Sequence, residues 1–284
     1  MTFFEKLINA TIFTMVRPTF FSSFHLGFLL TFVLATIIVC IWLYKIPNDL
    51  SVRGFVAACW GVMLLFEVYK QINFAFAYHP QTNTVVWDYD WHAFPFQFCS
   101  SPLYLFPFAI FLKDGKVRDA FLAYLCTFSF FGGLVVLVYP GTVFTEDLMI
   151  NVQTMVHHGL QTLVGLALTV SYRKKFTWKF FASGIIVFAG MLGIAMFLNW
   201  FVPNVIGTED KFTMFSLSWI YGCELPLLDV VFEKAPYVVF FLCYVAGFCL
   251  IATLIFSIIK FILFSSEKHR QMKKSKRTNH ATSA

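Results

Sequence analysis

Seven times along the chain, a stretch of nearly twenty residues or more passes almost without charge, and shorter polar stretches separate these runs. A bilayer core about 30 Å thick is crossed by roughly 20 apolar residues in a helix. Inside hydrocarbon the backbone groups must satisfy one another, which a helix does within its own segment. The runs fall at about residues 24–44, 54–76, 94–112, 120–139, 148–170, 180–202 and 237–264. They predict an all-α, polytopic membrane protein, a seven-transmembrane-helix bundle forming a single domain over residues 1–284. Composition agrees, with 59% hydrophobic and only 13% charged residues, against about 25% charged in a soluble domain. Residues 1–23 lack the charged, apolar, then small-residue order of a cleaved signal, so the first run is expected to remain as an anchor. An eighth candidate, residues 212–232, contains Glu224, Pro226 and Asp229 and is expected to be interfacial or re-entrant.

Basic residues set the expected orientation. Lys45 and Arg53 follow the first run, Lys113, Lys116 and Arg118 the third, and Arg173, Lys174, Lys175 and Lys179 the fifth. Residues 77–93 and 140–147 have no Lys or Arg, and residues 203–236 set Lys211 and Lys234 against five acids. By the positive-inside rule this alternation places the N terminus outside and the C terminus in the cytoplasm, in a plasma membrane. Counting 212–232 as an eighth crossing would put the tail outside. That tail, residues 265–284, carries six Lys or Arg between Lys268 and Arg277. It is expected to fix topology or to touch anionic lipid head groups, and nothing else in the chain supports nucleic-acid binding. The seven cysteines, at 40, 59, 99, 126, 223, 243 and 249, include no CxxC pair. No disulfide framework, metal site or cofactor is expected from them.

Polar side chains in hydrocarbon are costly, so their positions carry information. With the orientation above, Glu67, Lys70, Gln71 and Asn73 fall in the outer half of the second run, and Gln97, Cys99, Ser100 and Ser101 in that of the third. The fifth run holds Asn151, Gln153, Thr154, His157, His158 and Gln161, and Asn199 lies near the outer end of the sixth. Four helices thus aim polar groups at one outer-side cavity. Asn151, Thr154, His158, Gln161 and Gly165 recur at steps of 3, 4, 3 and 4, which is one helical face. His157 points about 100° away from it. His158 reads as a base, ligand or proton carrier, or else as a structural histidine bonded to a neighbouring helix. Glu67 and Lys70, three apart, read as relay groups or as a local ion pair that snorkels outward.

The stretch "WDYDWHAFPFQFCSSPLYLFPFAIFL", residues 87–112, holds the most unusual cysteine. Cys99 sits between Pro95 and Pro102 and beside Gln97, Ser100 and Ser101, whereas the other six read as inert packing. A thiol becomes a nucleophile when a neighbour removes its proton, and His158 is the candidate. In helical rise Cys99 lies roughly 7 Å below residue 94 and His158 about 15 Å below residue 148, so contact requires helix tilt or an earlier start to the third helix.

The motifs "FPFQFCSSPLYL" (94–105), "HHGL" (157–160), "FLNWFVPN" (197–204), "ELPLLD" (224–229) and "APY" (235–237) occur in that order. In this the chain resembles the YwaF-like bacterial integral membrane proteins, which are similar to the eukaryotic transmembrane-protein-164 family. The resemblance implies a seven-helix fold and, from the eukaryotic relative, phospholipid acyl transfer through an intramembrane cysteine and histidine. Distantly similar androgen-induced lipid hydrolases use a threonine and a histidine. Cys99 and His158 match the family's pair. Gln97 stands where bacterial members often carry a histidine.

Two functions follow as expectations. One is lipid acyl transfer or lipid ester hydrolysis at the outer leaflet, with Cys99 as nucleophile, His158 as base, and Gln97, Ser100 or Ser101 as oxyanion donors. Its partners would be membrane lipids and a lipid or acyl substrate. The alternative is a small-solute or proton-coupled transporter or binding protein using Glu67, Lys70 and the histidine pair, or a non-catalytic membrane protein.

Overall fold

The computed structural model describes residues 2–45, 48–141, 143–208, 210–223 and 225–282, with the side chains after residue 265 left aside. Helices follow the apolar runs, and polar side chains start several of them. A short helix α1 (Phe3–Asn9) opens the chain with a reciprocal Thr2–Glu5 cap. It is followed by α2 (Ser23–Lys45) and α3 (Asp49–Ala75), the latter capped by Asn48. The third run gives α4 (Ser101–Phe111). The fourth gives α5 (Lys116–Tyr124) and α6 (Phe130–Val138), joined through one wide π turn, Leu125–Ser129. Next come α7 (Leu148–Ser171), capped by Asp147, and α8 (Trp178–Phe201), capped by Thr177 and ending in a second π turn, Val202–Ile206. Last are α9 (Leu228–Lys234) and α10 (Tyr237–Thr282). Capping oxygens take amide donors that a helix start leaves free.

Among the described residues, five helical stretches are long and apolar enough to cross a membrane: Ser23–Lys45, Asp49–Ala75, Lys116–Val138, Trp178–Ile206 and Tyr237–Ser265. The chain is a predominantly helical membrane protein. The two other expected spans differ from these in kind. α7 lies where the sequence places it, but it is buried around most of its circumference, at 16 named positions including Asn151, Gln153, His157, His158 and Gln161. A helix enclosed by protein can carry polar groups that a lipid-facing one cannot. α4 begins seven residues later than the expected residue 94. Residues 94–97 are irregular and a single 3-10 turn, Phe98–Ser100, leads into the 11-residue helix.

α4 is completed by its neighbours. Pro107 has no N–H for the Leu103 carbonyl four residues back, and the Trp60 indole donates to that carbonyl instead, at 2.8 Å. The last carbonyls of the helix are taken by arginines: Arg118 Nε donates to Ala109, and Arg53 to Ile110 and Leu112.

Short non-helical elements interrupt this predominantly helical chain. An antiparallel hairpin, β1 (Phe76–His79) with β2 (Thr84–Trp87), continues directly from α3. Residues 212–218 form a buried, non-helical reversal with positive φ at Phe215 and Ser216. Among the described residues no helix of membrane-crossing length occupies 212–232, and Glu224 lies outside them.

The connections gather at the two ends of α3, whose 27 residues span about 40 Å. At its C-terminal end, Phe4 packs edge-on against Phe76, and Met15 N–H donates to the Glu146 carbonyl. The N-terminal segment, the hairpin and the start of α7 therefore share one side. At the other end, Arg118 is 1% exposed. It donates to Asp49 (3.0 Å), Asp114 (2.5 Å) and the Tyr172 hydroxyl (2.7 Å). The hydrogen bond from Arg118 holds the Asp114 carboxyl below the usual carboxylate range.

Close packing around α7 depends on missing side chains. A Cβ on Gly159 would stand 2.3 Å from the Phe32 ring of α2, and one on Gly133 2.9 Å from Gln161 and from the His158 carbonyl. The glycine of the HHGL motif thus lets α2 lie directly against the histidine turn.

Candidate intramembrane cysteine–histidine site

Cys99 lies half-buried in the Phe98–Ser100 turn, where the irregular approach becomes α4. The turn is held from three sides. Gln97 Nε2 donates to the Thr213 carbonyl at 3.0 Å. Phe96 and Phe98 pack on Phe215 at 5.8 and 5.6 Å between ring centres, so the 212–218 reversal covers the turn. On the α7 side, His157 Nε2 lies 3.0 Å from the Cys99 carbonyl oxygen.

That contact fixes a tautomer. A carbonyl oxygen only accepts, so His157 carries its proton on Nε2 and leaves Nδ1 with a lone pair. His158 is arranged the other way round: Nδ1 donates to the Thr154 carbonyl at 2.7 Å and leaves Nε2 with the lone pair. Both free ring nitrogens are buried and have no hydrogen-bond partner among the described residues. The Cys99 thiol is bonded to neither of them. The ring centres lie 5.3 Å apart with the ring planes at 60°.

The ion pair read from the sequence is present and buried. Lys70 Nζ is 2.8 Å from Glu67 Oε1, with side chains 16% and 8% exposed. Glu67 Oε1 also accepts from Gln71 Nε2, which reaches the Ala93 carbonyl, and Tyr89 donates its hydroxyl to Gln71 Oε1. Glu67 Oε2 is buried with no partner among the described residues. α3, which carries Glu67 and Lys70, packs against α7, which carries both histidines. Gln71 ties Glu67 to the segment that leads into the Cys99 turn, and His157 ties that turn to α7. Among the described residues, no three His, Cys, Asp or Glu side chains are placed to hold a metal ion.

The remaining predicted residues do other work. Asn151 clamps residue 145 through its N–H and C=O. Asn199 grips Met214 in the same two-pronged way, at 3.0 and 2.6 Å. Gln161 donates to the Ser129 carbonyl on the π turn (2.8 Å) and keeps Oε1 without a partner. Ser101 Oγ lies 2.8 Å from the Tyr124 hydroxyl, and Ser100 is buried. Gln97 and Ser101 thus each have a hydrogen-bond partner within the protein. Helical spacing sets His157 off the polar stripe, yet His157, not His158, reaches the cysteine turn. That is a correction with a simple cause, because the stripe faces α6 and the π turn, whereas Cys99 approaches α7 from another direction. The polar stripe also hides His25, a buried histidine joining α2 to the end of α6 through the Leu137 carbonyl. Gln71 and Tyr89 belong to the network through contacts with segments far along the chain, which no local pattern reveals.

Helices of membrane-crossing length, with a half-buried cysteine, two buried histidines and a lysine–glutamate pair among them, define a polytopic membrane protein with an internal polar site. The model of the TMEM164 family matches residues 20–244, and the chain belongs to that family. The matched region includes every residue of the site. No curated protein and no solved structure matches the chain.

Proposed function

We propose that the protein is a seven-span lipid acyltransferase or lipid ester hydrolase with Cys99 as nucleophile and the α7 histidines as its proton-handling pair. The observation that carries this reading is the 3.0 Å contact of His157 with the Cys99 carbonyl, which sets the histidine pair against the cysteine turn. α4 with its irregular approach, and the enclosed α7, complete the seven spans. On this reading the N terminus and hairpin lie outside a plasma membrane and the basic tail in the cytoplasm, and the alternation of loop charge supports that orientation. The substrate enters from the outer leaflet.

In this scheme His158 Nε2, with its lone pair uncommitted, takes the thiol proton as Cys99 closes on it. The thiolate attacks an ester carbonyl carbon and the carbon–oxygen bond to the lipid alcohol breaks. The alcohol leaves with the proton from the imidazolium, and the acyl group remains as a thioester on Cys99. A second lipid hydroxyl or water then attacks the thioester, gives its proton to His158, and that proton returns to the departing sulfur. Lys70, whose ammonium has one ion-pair partner among the described residues, is the group available to face developing negative charge. His157 holds the cysteine turn in place. A transporter using the same polar groups fits less well, because the other end of the bundle is closed by the Arg118–Asp49–Tyr172 network.

The test is turnover of ester phospholipids by the full chain in nanodiscs, read by mass spectrometry together with the mass of the intact protein. Cys99→Ser is expected to cut turnover by about a thousandfold or more and to lose an acyl adduct that maps to Cys99 in the wild type. His158→Ala is expected to cost about a hundredfold or more. Turnover that survives Cys99→Ser, or an adduct on another residue, overturns the assignment.

A further inference from the structure

On the side of the bundle that carries the hairpin, a cleft of about 450 Å³ is lined by Trp87, Asp88, Tyr89, Trp91, Phe94 and Asp210. Aromatic residues at a membrane surface are common as interfacial anchors, but such anchors splay outward singly. Here the rings form walls. Trp87 and Tyr89 lie near-parallel at 6.0 Å, Trp91 stands at 90° to Tyr89 at 5.2 Å, and Phe94 follows Trp91 at 6.3 Å. The walls are braced from behind: the Tyr89 hydroxyl is tied to Gln71, and Trp91 and Phe94 both pack on buried Phe212. The polar lining is acidic. Asp88 and Asp210 carry carboxylates with no ion pair or side-chain hydrogen bond among the described residues, and Lys211 beside Asp210 does not line the cleft.

Aromatic faces at right angles attract a cation through their quadrupoles, most strongly when the cation sheds water easily. Two unpaired carboxylates add long-range attraction and exclude anions. A hard metal ion would want converging oxygens, which two aspartates on separate segments do not supply, whereas a methylated ammonium suits rings. We infer that this cleft is a binding site for an organic ammonium ion of the choline type, presented either as a lipid head group or as a free solute. The site is separate from Cys99 and does not depend on its chemistry. It communicates with it structurally, because Tyr89 is linked through Gln71 to the Glu67–Lys70 pair.

The experiment is calorimetric titration of the full chain in phosphatidylglycerol nanodiscs with choline, and with its uncharged isostere 3,3-dimethyl-1-butanol. Choline is expected to bind saturably, one per protein, and the isostere at least about tenfold more weakly. Asp88→Asn with Asp210→Asn, and separately Trp91→Leu, are expected to weaken choline binding by a similar factor. Cys99→Ser is expected to leave it unchanged, so that failure here and failure of the Cys99 chemistry are told apart. Repeating the titration in phosphatidylcholine nanodiscs assigns the source. Loss of choline binding there means the lipid head group occupies the cleft, and unchanged binding means a free solute. Equal binding of choline and isostere, no saturable choline binding, or variants that bind as the wild type does would each overturn the proposal. All three substitutions lie on an exposed or partly exposed surface, and an unchanged melting temperature in the same nanodiscs verifies the fold.

Discussion

At Gly159 the space for a side chain is already filled by Phe32, 2.3 Å from where a Cβ would stand. Gly159→Ala must push α2 from α7 beside both histidines. Overpacking of this kind costs about 1–3 kcal/mol, and a fall in melting temperature together with loss of lipid turnover is the expected pair of readings. Two residues earlier, His157 acts through a single donor, Nε2–H on the Cys99 carbonyl. His157→Ala removes that donor and is expected to lower turnover roughly tenfold, about the effect of one neutral hydrogen bond. His157→Gln places an amide N–H near the same point and is expected to restore much of the rate. A general base would not be rescued by an amide, so the two substitutions separate a positioning role from a proton-transfer role. His158→Gln, by contrast, is expected to be as inactive as His158→Ala.

Among the elements, α4 shows how a short helix survives among longer ones. Its defect at Pro107 and its open C-terminal carbonyls are met by Trp60, Arg118 and Arg53. Trp60→Phe leaves the Leu103 carbonyl without a donor, at a cost of about 1–3 kcal/mol. Adding Pro107→Ala supplies the missing N–H from within the helix, so the double variant is expected to melt higher than Trp60→Phe alone. If the second change adds nothing, Trp60 contributes by packing and not by this bond. The 212–218 reversal is a second element of this kind. It replaces a helix with a buried loop whose backbone groups are taken by Asn199 and Gln97, and it seats Phe215 over the cysteine turn. The polar residues that the sequence offers as cavity lining prove in part to be the braces of these irregular segments. A buried amide looks the same in sequence whether it serves a ligand or a loop.

For the whole molecule, sidedness is the quantity to test. The N-terminal segment, the hairpin and the start of α7 share one end, and Asp49, Asp114, Arg118 and Lys175 the other. With the proposed orientation, Pro80→Cys is expected to react with an impermeant maleimide added to intact cells, and Lys174→Cys only after permeabilisation. The reverse result would move the cysteine site and the aromatic cleft to the cytoplasmic side.

Much of this molecule is determined by the sequence alone. The lengths of apolar runs and the spacing of charges specify a helical membrane protein and place α7 to within a residue at each end, because a backbone in hydrocarbon has to close its hydrogen bonds locally and a helix must match the bilayer. The candidate residues were legible for the same reason: a buried polar side chain in such a chain is too costly to be accidental. Only the tertiary structure decided which partner each one meets. Helical periodicity ranks His158 above His157, but the direction from which the Cys99 turn reaches α7 depends on a non-helical approach, a proline defect and a loop more than a hundred residues away. Those are contacts between distant segments, set by how the helices pack and tilt against one another, and no local period encodes them.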